Sequence, residues 1–138
     1  MVRKLLVSLA ALATTLGLMV PTATSASAFG NEWLGCAVSG GVWYYTAPCN
    51  GGQNYGPVYV EFQIMDMTGS YTTSWAVPAE YVTRISSGCT SGSSLCQLQF
   101  GNSASREVLM SVTITQNGVS ETLSTGASVE PMCGNQWC

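Results

Sequence analysis

Histidine is absent from this chain of 138 residues, lysine occurs only as Lys4, and two arginines, Arg84 and Arg106, are the only cations beyond residue 28. Serine and cysteine nucleophiles are usually activated by a histidine or lysine base, so this scarcity removes most hydrolase mechanisms. A surface so poor in cations is also unsuited to a phosphate backbone or an anionic lipid face. No nucleic acid and, for the mature form, no membrane is therefore expected as a partner. Calcium needs clustered carboxylates, and no two acids lie within three residues of each other. Zinc would lack its usual imidazoles, and the cysteines show no repeated close pairs. No phosphate loop or dinucleotide fingerprint is present, so no cofactor is expected. Glu61, Asp66 and Glu80 remain as the mid-chain candidates for a glycosidase carboxylate pair. Their plainer reading is solvated strand and turn positions. The expectation is a protein that is not an enzyme.

What is present begins with an export signal. Arg3 and Lys4 precede an apolar run over residues 5–20, and a polar stretch then ends in Ala26-Ser27-Ala28. That order is read as a secretory signal peptide, residues 1–28, cleaved after Ala28. The apolar run is shorter than the ~20 residues of a membrane span and is interrupted by Ser8, Thr14 and Thr15. Cleavage leaves residues 29–138 as one secreted, extracellular domain that is mildly acidic, with two bases against seven acids.

All six cysteines fall in that domain and form three sequence clusters. In an oxidising compartment an even number implies disulfides. The clustering favours sequential pairing: Cys36 with Cys49, Cys89 with Cys96 and Cys133 with Cys138. Each bridge would close a local loop and is expected to fix loops rather than join sheets.

Strands are read from period-two alternation and turn residues. Residues 36–38 and 42–46 flank Ser39-Gly40-Gly41 and predict a first hairpin, with a loop over 48–56. Val58, Val60, Phe62 and Ile64 alternate with polar or aromatic neighbours in the clearest strand, 58–67. A second strand places Tyr71, Thr73, Trp75 and Val77 on one face and ends at Pro78. Residues 81–85 predict a short strand, 86–94 a loop, and 95–100 and 108–115 two further alternating strands. Asn117-Gly118 is a strong hairpin signal that pairs Gln116 with Val119 and Val112 with Leu123. The same register sets Glu121 opposite Ile114 on the core face, which requires that end of the hairpin to overhang into water. A last short strand is expected at 127–130. About eight short strands with turns every 8 to 12 residues or so predict an all-β antiparallel sandwich or barrel, stapled by three disulfides.

With chemistry set aside, binding remains, and rigid aromatics are its plausible means. Trp43, Tyr44 and Tyr45 stand on successive positions between Cys36 and Cys49, so in a strand Trp43 and Tyr45 share one face and Tyr44 takes the other. Tyr55 in a glycine-rich loop and Trp137 in the tail complete the candidate partner-binding set. The competing reading is that these rings cap a barrel end or cover a disulfide.

Cys36, the triplet Trp43-Tyr44-Tyr45, Cys49, the alternating strand 58–67 and Trp75-Ala76-Val77-Pro78 resemble the tendamistat type of secreted bacterial alpha-amylase inhibitor. The resemblance covers residues 36–85. It implies a β-sandwich whose Trp-Arg-Tyr triplet, on a turn enclosed by the first disulfide, blocks an enzyme's active site. Trp43 and Tyr45 match the outer members of that triplet, Tyr44 stands in place of the arginine, and the later cysteines are placed differently.

The leading expectation is a secreted, non-catalytic binding protein that presents these aromatics to another extracellular protein, as an inhibitor of a hydrolase. One alternative is an adaptor or structural subunit of a secreted antibacterial toxin assembly, docking through the lead at 29–34 and the cysteine-tipped tail. Another is a carbohydrate-binding module using Tyr and Trp with Asn and Gln.

Overall fold

A computed structural model describes residues 29–41, 44–53, 56–133 and 136–137, the side chains of 132, 133, 136 and 137 excepted. The expected signal at 1–28, Trp43, Tyr55, the Trp137 side chain and the Cys133–Cys138 pair lie outside the described residues. Among the described residues ten strands run in chain order: β1 (Trp33–Val38), β2 (Cys49–Gly51), β3 (Val58–Met65), β4 (Thr72–Ala76), β5 (Ile85–Gly88), β6 (Leu95–Phe100), β7 (Arg106–Gln116), β8 (Val119–Val129), β9 (Met132–Cys133) and β10 (Gln136–Trp137). One sheet has the order β1-β3-β6-β5 and the other β2-β8-β7-β4, while β9 and β10 pair alone. The architecture is sandwich-like. The barrel alternative is not realised, since the two four-stranded sheets remain separate ladders.

Alternation explains the core directly. Val58, Val60, Phe62 and Ile64 of β3 are buried while the residues between them are half-exposed. Val108, Met110, Val112 and Ile114 of β7 repeat the pattern from the facing sheet. Both sets belong to one apolar cluster, with Leu98 among its largest fully buried members. Each such side chain contributes about 1.5 to 3 kcal/mol on leaving water, so two continuous apolar faces suffice to hold the layers together.

The β7–β8 hairpin has the register that its turn dictates. Asn117 and Gly118 both adopt positive φ, at 53° and 79°, as a type I′ turn requires. Gln116 pairs with Val119, Val112 with Leu123 and Ile114 with Glu121. Glu121 is exposed while Ile114 is fully buried, so the overhang lies on the β8 side alone. On the outer face the same register joins hydroxyls across the strands: Ser111 with Ser124 at 2.9 Å, Thr113 with Thr122 at 3.0 Å and Thr115 with Ser120 at 2.7 Å. The strand expected at 127–130 is the continuous end of β8.

Four expectations are corrected. The expected hairpin of 36–38 with 42–46 is not a ladder over its described residues: there only Cys36 and Thr46 bridge, and the main partner of β1 is β3. The loop at 48–56 contains β2, which pairs in parallel with the end of β8. Residues 81–84 are not a strand, because a 3-10 helix spans Ala79–Arg84, and β5 starts at Ile85 and runs on to Gly88, into the stretch expected to be loop. Pro78 precedes the helix, and its carbonyl accepts the Tyr81 amide at 2.8 Å, turning the chain where β-branched composition favoured extension. Finally, the Cys36–Cys49 disulfide links β1 of one sheet to β2 of the other, so it does join sheets.

Both described pairings, Cys36–Cys49 and Cys89–Cys96, are those read from the spacing. Such bonds belong to an oxidising compartment. Among the described residues no helix is long and apolar enough to cross a membrane.

Candidate functional site

The chain leaves β1 through a turn in which the Gly41 amide donates to the Val38 carbonyl at 3.2 Å. It returns at Thr46, which exchanges two backbone hydrogen bonds with Cys36, at 2.8 and 3.0 Å. The Ala47–Pro48 peptide is cis, and β2 follows at once. The segment 39–48 thus crosses from one sheet to the other and is anchored at both ends, by the Cys36–Thr46 bridge and by the Cys36–Cys49 bond.

Within it the two described candidate rings diverge. Tyr44 projects into solvent and is 60 % exposed. Tyr45 folds back over β1, where a Cβ added to Gly35 would come within 2.8 Å of Tyr45 Cβ. Its phenol donates to Glu61 Oε1, and the other Glu61 oxygen accepts Gln97 Nε2 at 2.7 Å. Burial first, then the Glu61 hydrogen bond and charge, push the Tyr45 hydroxyl well above the usual tyrosine range. Tyr45 is therefore a strut that fastens the crossing segment to β3 and β6. It also covers Gly35 on the outer face of β1, which is buried like the inward residues.

The three mid-chain carboxylates are dispersed. Glu61 is engaged as described, Asp66 accepts Trp33 Nε1 at 3.0 Å, and Glu80 lies on the 3-10 helix beside a recess shared with Tyr81, Arg84 and Arg106. Arg106 stacks over the Phe100 ring at 4.3 Å. Burial lowers its guanidinium pKa most, with the Tyr81 charge opposing and that of Arg84 assisting. Among the described residues no group of three or more His, Cys, Asp or Glu side chains is arranged to hold a metal ion.

Sequence reasoning missed a recess of about 430 Å³ on the outer face of β2, β8 and β7. Two cross-strand rows build it. Glu107, Ser128 and Asn50 form one, and Leu109 with Gly126 forms the other, continued by Pro48. Gly126 leaves the middle of its row open: a Cβ there would lie 3.2 Å from Leu109 Cδ2. Glu130 closes the end and accepts Asn50 Nδ2 at 3.3 Å. A smaller recess of about 170 Å³ shares Pro48 and Asn50 and reaches Tyr44. The signal was available, since Leu109 is the apolar exception on a strand face otherwise made of Glu107, Ser111, Thr113 and Thr115. The Asn117-Gly118 register also places Leu109 opposite Gly126.

Compared with protein-family models, curated proteins and solved structures, the chain matches none.

Proposed function

We propose that the chain is an exported, non-catalytic binding protein that presents the segment 39–48, with Tyr44 outermost, to another extracellular protein, a secreted hydrolase being the first class to test. One observation carries the reading: a large, amphipathic ring stands 60 % exposed on a segment tied at both ends to the sandwich. A ring presented in this way loses little conformational freedom on binding, which is what distinguishes an anchor from a ring on a loose loop. Trp43 precedes it in sequence and belongs to the same proposal.

The adaptor alternative has less support. Of its two docking arms, the lead at 29–34 is fixed to the sandwich, since Phe29 packs against the core and Trp33 and Leu34 begin β1, while the side chains of the cysteine-tipped tail lie outside the described residues. The test is an inhibition screen against secreted amylases and proteases, using wild-type protein, Tyr44→Ala and Trp43→Ala. Inhibition lost in both variants while their thermal transitions stay unchanged supports the reading. A screen in which no enzyme responds counts against it.

A further inference from the structure

The outer recess beside Pro48 offers a socket whose chemistry is different from that of the rings. We infer that it receives a basic side chain, arginine or lysine, from the protein partner, a deepening that rests on the binding reading above.

Charge complementarity selects this occupant. Among the described residues Glu107 and Glu130 line the recess and no basic residue does. Arg84 and Arg106, the only cations beyond residue 28, line a different recess. Arg106 is the chain neighbour of Glu107, but strand alternation turns it to the opposite face, where it stacks on Phe100. The two carboxylates therefore meet no internal counter-charge on this face among the described residues.

The apolar part of the recess fits the stem of such a side chain. Leu109 is 71 % exposed, and Pro48 stands across the space that Gly126 leaves open. A long basic side chain lays its methylenes along apolar surface and carries its charged head beyond. Here that path leads from Leu109 and Pro48 toward Glu107 and Glu130, which offer charge-assisted acceptors. A neutral sugar is the poorer occupant, because no aromatic ring among the described residues lines this recess for stacking. Tyr44 borders the adjoining recess across Pro48, so a partner seated on the ring has its next residues within reach of the socket.

The test uses full-length protein in ¹⁵N NMR titrations with three probes: acetyl-Leu-Arg-Leu-amide, the same peptide with citrulline for arginine, and maltose. The arginine peptide is expected to give saturable shifts at Asn50, Leu109 and Gly126. Glu107→Gln and Glu130→Gln should each weaken its binding about two- to five-fold, and added salt should weaken it further. Citrulline binding as well as arginine, maltose alone shifting these amides, or no saturable shift at all overturns the socket. Hydrolase inhibition that depends on Tyr44 but survives Glu107→Gln and Glu130→Gln would also overturn it while leaving the binding reading intact. The two failures are thus distinguishable.

Discussion

Thr73 and Gly92 meet across the two sheets: the buried Thr73 hydroxyl, on β4, accepts the Gly92 amide of the β5–β6 loop at 2.9 Å. The same hydroxyl faces the carbonyls of Thr90 and Ser93 at 3.2 and 3.1 Å, and Trp75 Nε1 donates to Ser93 at 3.0 Å. The loop closed by Cys89–Cys96 is thereby latched to the opposite sheet. Thr73→Val keeps the shape but takes the hydroxyl from the Gly92 amide and the facing carbonyls, and should lower stability by about 0.5 to 1.5 kcal/mol. Urea denaturation measures it, with Thr73→Ser expected to retain most of the stability.

Tyr45 predicts an alkaline limb in the stability profile. Its folded pKa lies above the unfolded value near ~10, so above that pH the folded state holds the proton that the unfolded chain has lost. The stabilisation is fully present below about pH 10 and is lost as pH rises through the folded pKa. Tyr45→Phe should remove this part of the decline. The check is the difference in urea midpoint between wild type and variant, followed from about pH 9 to pH 11.

The two described disulfides should not be equivalent. Cys36–Cys49 spans 13 residues and Cys89–Cys96 spans 7, so the former constrains the unfolded chain more. Replacing the first pair with alanine should cost about 2 to 4 kcal/mol, and replacing the second should cost less. Thermal unfolding gives the ranking. Loss of the first pair should also abolish any inhibition that depends on Tyr44.

Glu121 guards an open edge. β2 pairs only with residues 127–129 of β8, which leaves 119–126 without a partner strand on that side among the described residues. An inward-facing charge on such an edge discourages pairing with a second chain. Glu121→Val is expected to self-associate at concentrations where wild type sediments as a single smaller species. Identical sedimentation of the two proteins would show that the charge has no such role.

Much of the scaffold was legible because it depends on local pattern. Val58 to Ile64 alternate visibly, and Asn117-Gly118 fixes eleven residue pairs from one turn. β2 was hidden for the opposite reason: Cys49-Asn50-Gly51 has turn composition, and it is a strand only because β8 offers it a parallel partner far along the sequence. The 3-10 helix carries strand composition, since Tyr81, Val82 and Thr83 favour extension when burial rewards it, yet Val82 is 53 % exposed. At the candidate site, neighbouring tyrosines were distinguishable by alternation but not by role. Nothing local in the sequence says that Tyr45 reaches Glu61 sixteen residues on.

The parallel pairing of β2 with β8 sets an order of assembly. Pro48 and Asn50 are made early in synthesis, whereas the floor they border, at Gly126 and Ser128, is made late. Contacts so distant along the chain must await closure of a long intervening loop. The crossing segment can acquire its final seat only when the C-terminal hairpin is in place, so a nascent or truncated chain that ends before β8 carries Tyr44 without the surface that would orient it.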